Sequence, residues 1–462
     1  MGGQRTDGFF LVAPHRPAAD STVRRPGPGG EIMAVLHVSA QDAADQAEPL
    51  TVDAAFARSH RAALADSEIG PVGLEVETHL VDLDHAAEAV PWDRVEPLLR
   101  VVGAVADRSA VSLEPGGQLE LSGSPEPDIV SAVTNMRHDG VSARLALAEL
   151  GLGIAHAGAD PLRPPRRVNP RPRYRAMEQH FAATGRAGAG TVMMNSTAAM
   201  QVNLQAGPKA GWPDRVARAH RLGPTLIAIS ACSPWLGGRD TGWKSARQRA
   251  WAGLDGRACG PVPGFVAPGA HGQAPDPALA WARYALRAPV VFVRNWVGEI
   301  APVRTSVPFE QWASGGVRLG GRLPTAADLD VHLTTLFPPV RLRGYLELRY
   351  LDMTAPRWWP AIAAVVTTLM DDPVAADQAS DATERAAGLW RAAARAGLDD
   401  PVLADAARRC LRIAAGRTPA QLAPAVTDLA ELIDSGRSPG DLLAERIGEI
   451  GPHAAFEELA HA

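Results

Sequence analysis

The sequence has few cysteines, no long apolar run and no excess of positive charge, and each of these shortages excludes a class of protein. Its three cysteines, at positions 232, 259 and 410, form no CxxC pair and no metal-ligand spacing, which argues against a disulfide framework and predicts a cytoplasmic protein. No apolar run approaches the ~18 residues of a membrane span. The 46 basic residues are outnumbered by 51 acidic ones, and the net charge of −5 argues against a nucleic-acid or anionic-membrane binder.

The composition and the order of local patterns predict a folded α+β protein. Hydrophobic residues make up 46% and charged residues 21% of the 462 positions, values typical of soluble globular chains. Residues 1–32 are predicted to be a disordered arm, since they combine Pro and Gly with little apolar periodicity. Residues 33–372 mix strand-like and helical patterns and are predicted to form the main α+β domain. Residues 373–462 are rich in Ala, Leu and Arg and predict a helical region packed on that domain.

Helical periodicity predicts four longer helices in the mixed part, over residues 92–108, 129–150, 212–231 and 356–370. The more informative segments are four predicted strands in which apolar residues alternate with carboxylates and amides. The polar positions are Glu75, Glu77 and His79 in strand 72–80, Gln118, Glu120 and Ser122 in strand 118–122, Gln201 and Asn203 in strand 199–204, and Glu347 and Arg349 in strand 346–350. Glu114 precedes the second strand, ahead of a Pro-Gly-Gly turn. Any one of these strands is also compatible with an ordinary solvent-exposed face. Four such strands in one sheet, however, predict that their polar residues form one site.

The residue types at these positions predict metal-assisted phosphate chemistry. Clustered carboxylates repel unless cations lie among them, and Mg²⁺ prefers carboxylate and amide oxygens. An arginine beside such carboxylates suits phosphoryl transfer, which makes a nucleotide the expected substrate. No Walker A loop is present, so the nucleotide is expected to be held mainly through metals. Arg173 and Arg247, both predicted to lie in loops, are candidates for gripping a substrate carboxylate, although each alone also fits a surface ion pair.

These motifs resemble the glutamate-cysteine ligase family of the second, plant and bacterial type. The resemblance covers about residues 70 to 450 and is greatest for the ergothioneine-pathway branch of the family. It is carried by GLEVE at 73–77, LEPGGQLELSG at 113–123, MQVN at 200–203, the stretch from Ser233 to Arg247, and ELR at 347–349. It implies a glutamine-synthetase-like fold: a curved antiparallel sheet of about six strands backed by helices, with a helical C-terminal extension.

The resemblance also implies the reaction and the site. It implies an ATP-dependent ligase that forms γ-glutamylcysteine from L-glutamate and L-cysteine through a γ-glutamyl phosphate, with Mg²⁺ between ATP and the sheet. The implied metal ligands are Glu75, Glu77, Glu114, Glu120, Gln201 and Glu347. The implied catalytic residues are Glu347 and Arg349, which steadies the transferred phosphoryl group, and the implied substrate-binding residues are Arg173, Asn203 and Arg247. Gln201 stands where related bacterial ligases have a histidine.

Three other functions stay open on the sequence alone. A ligase of the same family that uses a different amine is one, because nothing in the motifs recognises a thiol. A noncatalytic metal-binding relative is the second, although such a protein would not need the complete set of carboxylates and arginines. A guanidino kinase is the third, because a related sheet serves phosphate transfer without amide formation. The expected partners are the small-molecule substrates glutamate, cysteine and ATP, with no nucleic acid and no membrane.

Overall fold

The computed structural model describes residues 48–265, 275–295 and 299–461. The arm predicted over residues 1–32 lies outside this range. None of the helices within it is both long and apolar enough to span a bilayer.

Seven of the strands form one antiparallel sheet that carries all four predicted strands. The strands of the described residues are, in chain order, β1 (Val72–Asp82), β2 (Ser109–Leu113), β3 (Leu119–Gly123), β4 (Leu152–Ala155), β5 (Ala199–Gln205), β6 (Trp235–Leu236), β7 (Arg239–Asp240), β8 (Phe292–Arg294), β9 (Ile300–Pro302), β10 (Val340–Leu342) and β11 (Tyr345–Asp352). The main sheet runs β10-β11-β5-β1-β3-β2, and β4 pairs with the second half of β1. The prediction of an antiparallel sheet of about six strands is confirmed.

The helices pack around the sheet and make up the C-terminal region. In chain order they are α1 (Val52–Ala63), α2 (Trp92–Val95), α3 (Leu98–Gly103), α4 (Ile129–Ala148), α5 (Pro172–Ala183), α6 (Ala187–Ser196), α7 (Trp212–Ser230), α8 (Ala246–Ala252), α9 (Gly256–Cys259), α10 (Pro277–Arg287), α11 (Phe309–Ala313), α12 (Ala326–Leu333), α13 (Trp359–Asp371), α14 (Pro373–Thr383), α15 (Trp390–Ala396), α16 (Pro401–Ala415), α17 (Ala423–Asp434) and α18 (Pro439–His461), which is broken at Gly451. Helices α4, α7 and α13 contact the sheet strands. Helix α13 is buried on nearly all sides, as expected of a helix inside the core.

Three of the four predicted helices match α4, α7 and α13 with ends shifted by a few residues. The fourth, over residues 92–108, is wrong. Two short helices, α2 and α3, occupy its first part, and Pro97 stands between them. A proline has no backbone N–H to continue the hydrogen-bond ladder and so interrupts the pattern. Strand β2 then begins at Ser109.

The sheet separates an apolar face from a polar one, as the alternation predicts. In β5, Met200, Val202 and Leu204 are fully buried and belong to the main hydrophobic cluster. Strand pairing places Glu75 opposite Gln201, and it places Glu347 opposite Asn203. Antiparallel neighbours in register point to the same side of a sheet, so the polar residues of β1, β5 and β11 meet on one face.

The helical region that follows residue 372 shares its core with the sheet. Asp372 caps α14 by accepting a hydrogen bond from the backbone N–H of Ala375, and every regular element described after it is helical. The main hydrophobic cluster contains residues from α14, α16 and α17 together with residues of the sheet. The prediction of a helical C-terminal region is therefore confirmed, while its boundary as a separate domain stays a prediction.

Candidate active site

The polar face of the sheet lines a cavity of about 280 Å³ that brings together eight of the ten predicted site residues. These are Glu75, Glu77, Glu114, Glu120, Gln201, Arg173, Arg247 and Arg349. The other two, Asn203 and Glu347, lie on the same face of the sheet but do not line the cavity, and both are buried. Residues that are far apart in the chain thus meet at one place, as the shared-site interpretation requires.

The carboxylates of the cavity are held in a strongly unfavourable environment for negative charge. Burial, with the nearby carboxylates of Glu347 and Glu120, raises the pKa of Glu75 to about 8. Burial and Glu120 raise the pKa of Glu77 to about 7, and the same causes place the pKa of Glu114 well above its usual range. The Arg349 guanidinium offsets these shifts only in part, so an added cation would favour the charged form of the carboxylates.

The described carboxylates of the cavity do not form a compact three-ligand cluster. Among the described residues, no three of the cavity's carboxylates bring their oxygens within 4.8 Å of one another. A compact all-protein cage of the kind that holds Ca²⁺ is therefore not present in that part of the chain.

Amide side chains of β5 orient two of these carboxylates. The Nδ2 group of Asn203 donates to Glu75 Oε1 at 2.8 Å. The Nε2 group of Gln201 donates to Glu77 Oε1 at 3.2 Å, and the backbone N–H of Ala199 donates to Glu77 Oε2 at 2.8 Å. Strand β5 therefore fixes the directions in which both carboxylates of β1 face the cavity.

Two arginines hold Glu347 beneath the cavity. The Nη2 group of Arg341 lies 2.6 Å from Glu347 Oε1, and the Arg341 Nε–H donates to Oε2. The Nη1 group of Arg349 also lies 2.6 Å from Oε1. Although burial alone would raise it, these guanidinium groups lower the pKa of Glu347 to about 2. Glu347 is thus a fully buried anion with both oxygens occupied.

Arg349 owes its position to a bulge in β11. Leu348 pairs with Val202 and Leu351 pairs with Met200, so two residues of β11 stand opposite Gln201 alone. Bulges commonly redirect side chains beside functional sites. The Nη1 group of Arg349 bridges Glu347 and Gln201 Oε1, the latter at 2.6 Å, and the guanidinium faces the cavity.

Glu114 reaches the cavity through a tight turn between β2 and β3. The Glu114 backbone N–H donates to the carbonyl of Gln118, and the N–H of Gly117 donates to the carbonyl of Glu114, both at 2.9 Å. Gly117 has a φ of +88°, a conformation that favours glycine. A Cβ on Gly116 would lie 2.1 Å from the carbonyl oxygen of Asn195. Both glycines of the Pro-Gly-Gly motif are therefore needed to place Glu114.

Arg173 and Arg247 lie on helices, and their predicted placement in loops is wrong. Pro172 begins α5, so Arg173 sits in its first turn, where its guanidinium donates to Thr334 Oγ1 at 2.9 Å and to the Thr334 carbonyl at 3.1 Å. Ser245 caps α8 and places Arg247 near its start. The Nη2 group of Arg247 donates to the Arg349 carbonyl at 2.6 Å. Helix α5 begins without a side-chain cap and α8 has only seven residues, so the start of each gives a weak local signal for prediction.

Sequence reasoning missed several residues of the site, Arg341 above all. Its strand, β10, has three residues and follows two prolines, so the alternation of Val340, Arg341 and Leu342 is too short to stand out. Tyr174, Thr334, Phe337 and Trp251 also line the cavity. They come from helices or irregular segments in which no local pattern marks a binding residue.

A second cavity of about 470 Å³ adjoins the first. It shares Trp251, Phe337 and Arg349 with the acidic cavity, and its other walls include Tyr350 of β11 and Trp390 of α15. The Arg349 guanidinium lies 5.8 Å from the centroid of the Phe337 ring. Arg349 thus stands at the junction of an acidic cavity and a mainly apolar one.

The comparison with known proteins identifies the family. A sequence profile described as glutamate-cysteine ligase family 2 matches residues 71–459, and the chain belongs to this family. It is 48% identical over 397 residues to glutamate–cysteine ligase EgtA of Mycolicibacterium smegmatis, covering 86% of this chain and 92% of the relative. It is 47% identical over 399 residues to EgtA of Mycobacterium tuberculosis, covering 86% and 91%. The predicted family and enzyme class, a glutamate–cysteine ligase, are confirmed.

More distant similarities extend beyond these bacterial relatives. The chloroplastic glutamate–cysteine ligase of Medicago truncatula is 30% identical over 304 residues, which cover 65% of this chain and 58% of that protein. Among solved structures, the chain is similar to the glutamate–cysteine ligase of Francisella tularensis in complex with AMP. That similarity has a TM-score of 0.48 and 12% sequence identity and covers 86% of this chain and 88% of the other.

Proposed function

We propose that this chain joins the γ-carboxylate of L-glutamate to the amine of L-cysteine, using ATP and passing through a γ-glutamyl phosphate, and that it serves ergothioneine biosynthesis. The observation that carries the proposal is a single cavity in which four glutamates face Arg173, Arg247 and Arg349. The near-complete coverage of the mycobacterial EgtA enzymes supports the same reaction.

We propose Mg²⁺ as the cation of the acidic cavity. The residues that would hold it are Glu75, Glu77, Glu114 and Glu120, with Gln201 beside them. The raised pKa values of the buried carboxylates fit this role, because a divalent cation would add counter-charge to that of the arginines, which offsets the shifts only in part. When bound, Mg²⁺ neutralises charge on the phosphate oxygens of the nucleotide.

Glu347 belongs to the same predicted ligand set, but its surroundings suggest a different main contribution. Both of its oxygens accept hydrogen bonds from arginines. In the proposed mechanism it therefore anchors the guanidinium of Arg349, and a direct bond from Glu347 to a metal stays a prediction.

The chemical difficulty of the reaction is that a free carboxylate is a poor acylating agent. Phosphorylation turns one carboxylate oxygen into a leaving group, and the amine then displaces phosphate to form the amide. Arg349 faces the cavity from a fixed position and would stabilise charge that develops on the transferred phosphoryl group. A preorganised guanidinium needs no reorientation during transfer, which is the main source of its effect.

Arg173 and Arg247 are proposed to hold the glutamate and its acyl phosphate. Both line the cavity, and a guanidinium recognises carboxylate or phosphate oxygens in a bidentate manner. Asn203 is buried and donates to Glu75, so its predicted contribution to substrate binding would act through that carboxylate.

The second cavity is proposed to receive the nucleoside part of ATP. Its mainly apolar lining and its volume of about 470 Å³ suit a planar base with its ribose. Because Arg349 lies at the junction of the two cavities, a nucleotide placed there would direct its phosphates toward the acidic cavity.

The test is a coupled assay with ATP, glutamate and a series of amines, in which ADP, phosphate and amide are measured separately. The proposal predicts stoichiometric ADP, phosphate and γ-glutamylcysteine, with cysteine preferred over alanine, serine and 2-aminobutyrate. Preference for another amine would contradict the substrate assignment but leave the ligase chemistry standing. Phosphate transfer without amide formation would contradict the ligase reaction.

A further inference from the structure

A buried aspartate at the end of β11, Asp352, lies outside the predicted site residues and at the centre of a hydrogen-bond network. The Asp352 side chain is 1% exposed. Its Oδ2 atom accepts from the backbone N–H of Cys232 at 3.0 Å and from Ser233 Oγ at 2.7 Å, and its Oδ1 atom accepts from Ser245 Oγ at 2.9 Å. A Cβ on Gly158 would lie 2.6 Å from Asp352 Cγ, so the backbone there makes room for the carboxylate.

The same network holds Arg247. The Nη1 atom of Arg247 lies 3.8 Å from Asp352 Oδ1, and its backbone N–H donates to Ser233 Oγ at 3.1 Å. The Nε and Nη1 atoms of Arg247 are buried without a hydrogen-bond partner among the described residues. Asp352 is thus the nearest counter-charge of Arg247. The Arg247 guanidinium faces the cavity, and two of its nitrogens are available to donate hydrogen bonds to a substrate.

The bulge in β11 is what brings Asp352 to this side of the sheet. Asp352 pairs with Ala199, while Tyr350 points the other way and donates to the Ala219 carbonyl of α7. In an unbroken strand, residues 350 and 352 would share one face. The extra residue at the bulge therefore places both Arg349 and Asp352 toward the site.

The C-terminal helices secure the segment that completes the network. The Ser245 N–H donates to the Ala394 carbonyl at 2.9 Å, and the Lys244 N–H donates to the Arg395 carbonyl at 3.2 Å. The Lys244 ammonium lies 2.7 Å from Asp441 and 3.0 Å from Asp399. The helical region after residue 372 thus fixes Ser245, the residue that both contacts Asp352 and caps the helix carrying Arg247.

We infer that Asp352 is a positioning residue for glutamate recognition: it orients the Arg247 guanidinium toward the substrate, with Ser233 and Ser245 as its supports. The inference rests on the proposed function, since it assigns the substrate contact to Arg247. Without the aspartate charge, the guanidinium would turn toward Glu77, the other carboxylate that attracts it, and away from the position that meets the substrate.

The test is a double-mutant cycle on the full-length enzyme with kcat/KM for glutamate as the readout. Asp352→Asn keeps the shape and most of the hydrogen bonds but removes the charge, and it is expected to lower kcat/KM for glutamate about tenfold, mainly through KM. Arg247→Ala should lower it at least as much. The double variant should match Arg247→Ala within about twofold, because a residue that acts only through Arg247 loses its effect when Arg247 is absent.

Asp371→Asn is the matched control. Asp371 is also a largely buried carboxylate paired with an arginine, Arg215, at 2.6 Å, and it lies outside both cavities. This variant should lose thermal stability without a change in KM for glutamate. If Asp352→Asn does not fold, Ser245→Ala takes its place in the cycle. It is expected to lower kcat/KM for glutamate about threefold in the wild type and to have no further effect in the Arg247→Ala background.

The outcomes separate this inference from the proposed function. A wild-type enzyme that forms no glutamate-dependent amide would overturn the proposed function and this inference with it. An active wild type in which the losses of Asp352→Asn and Arg247→Ala multiply would overturn the inference alone. The same would follow if Asp371→Asn raised KM for glutamate as much as Asp352→Asn.

Discussion

The Nη1 group of Arg349 lies 2.6 Å from Glu347 Oε1, and the two residues stand two positions apart on the same strand. Glu347 is also held by Arg341, so one buried anion serves two guanidinium groups. This arrangement explains how Arg349 can face a cavity of carboxylates without forming ion pairs with them instead. The Glu347 carboxylate already balances part of the Arg349 charge, and the orientation of Arg349 is fixed before any substrate binds.

Replacing Glu347 by glutamine should damage both stability and catalysis. The change leaves two arginines without their shared counter-charge in a buried site, and removal of one partner of a buried pair costs about 3 to 5 kcal/mol. We expect a fall of about 3 kcal/mol in the free energy of unfolding, measured by urea denaturation, and a large loss of turnover. Glu178→Gln, at a carboxylate paired with Arg167 outside the cavity, is the control. Wild-type stability in the Glu347 variant would show that the ion pairs of Glu347 with Arg341 and Arg349 are dispensable.

Arg349→Lys should lower turnover far more than it weakens ATP binding. Lysine keeps the charge but loses the planar fork that spans Glu347, Gln201 and the cavity. An interaction made only in the transition state contributes to kcat and not to ground-state affinity. The measurements are kcat and the dissociation constant of ATP for both proteins. Equal losses in the two quantities would indicate a ground-state contact instead.

The carboxylate cluster predicts a pH-dependent stability that Mg²⁺ should remove. The folded pKa values of Glu75 and Glu77, about 8 and about 7, exceed the unfolded value of about 4.3. Between these limits the folded state holds protons that the unfolded chain has released, so stability falls as pH rises from about 4.3 to 8. A cation that binds Glu75 and Glu77 must displace the protons that these carboxyl groups carry in the folded state.

Melting temperatures measured from pH 5 to 8.5, with chelator and with Mg²⁺, check this expectation. The metal-free protein should lose stability toward the alkaline end, and Mg²⁺ should stabilise it most there. Glu75→Gln should flatten the chelator curve, because it removes one of the titrating groups. Curves that are parallel with and without Mg²⁺, in wild type and variant alike, would contradict a cation site among these residues.

Arg173→Ala should raise KM for glutamate more than KM for ATP or cysteine. The loss of one charge-assisted contact is worth about 1.5 to 3 kcal/mol, or roughly tenfold and more in kcat/KM for the substrate concerned. Arg171→Ala is the matched control, since Arg171 is exposed two residues earlier and does not line the cavity. Equal losses for all three substrates, together with a lower melting temperature, would assign Arg173 a structural role through Thr334.

The strand alternation carried most of what the sequence could predict. It identified β1, β3, β5 and β11 and the side to which Glu75, Gln201 and Glu347 point, because a period of two and a buried face strongly constrain a strand. It could not predict the bulge at Arg349, which depends on pairing with β5, nor Arg341, whose strand is too short to show a pattern. The hydrogen-bond network around Asp352 could not be predicted either, since the partners of Asp352 lie more than 100 positions away in the chain.

The most direct test of the account follows the oxygen atoms of the glutamate γ-carboxylate. With ¹⁸O in both of these oxygens, a γ-glutamyl phosphate intermediate transfers one labelled oxygen to the inorganic phosphate released with each amide, and ADP stays unlabelled. We predict one ¹⁸O per phosphate, detected by mass spectrometry, at the rate of γ-glutamylcysteine formation. Label in AMP, or phosphate that carries no label while amide forms, would contradict phosphorylation of the carboxylate in this cavity.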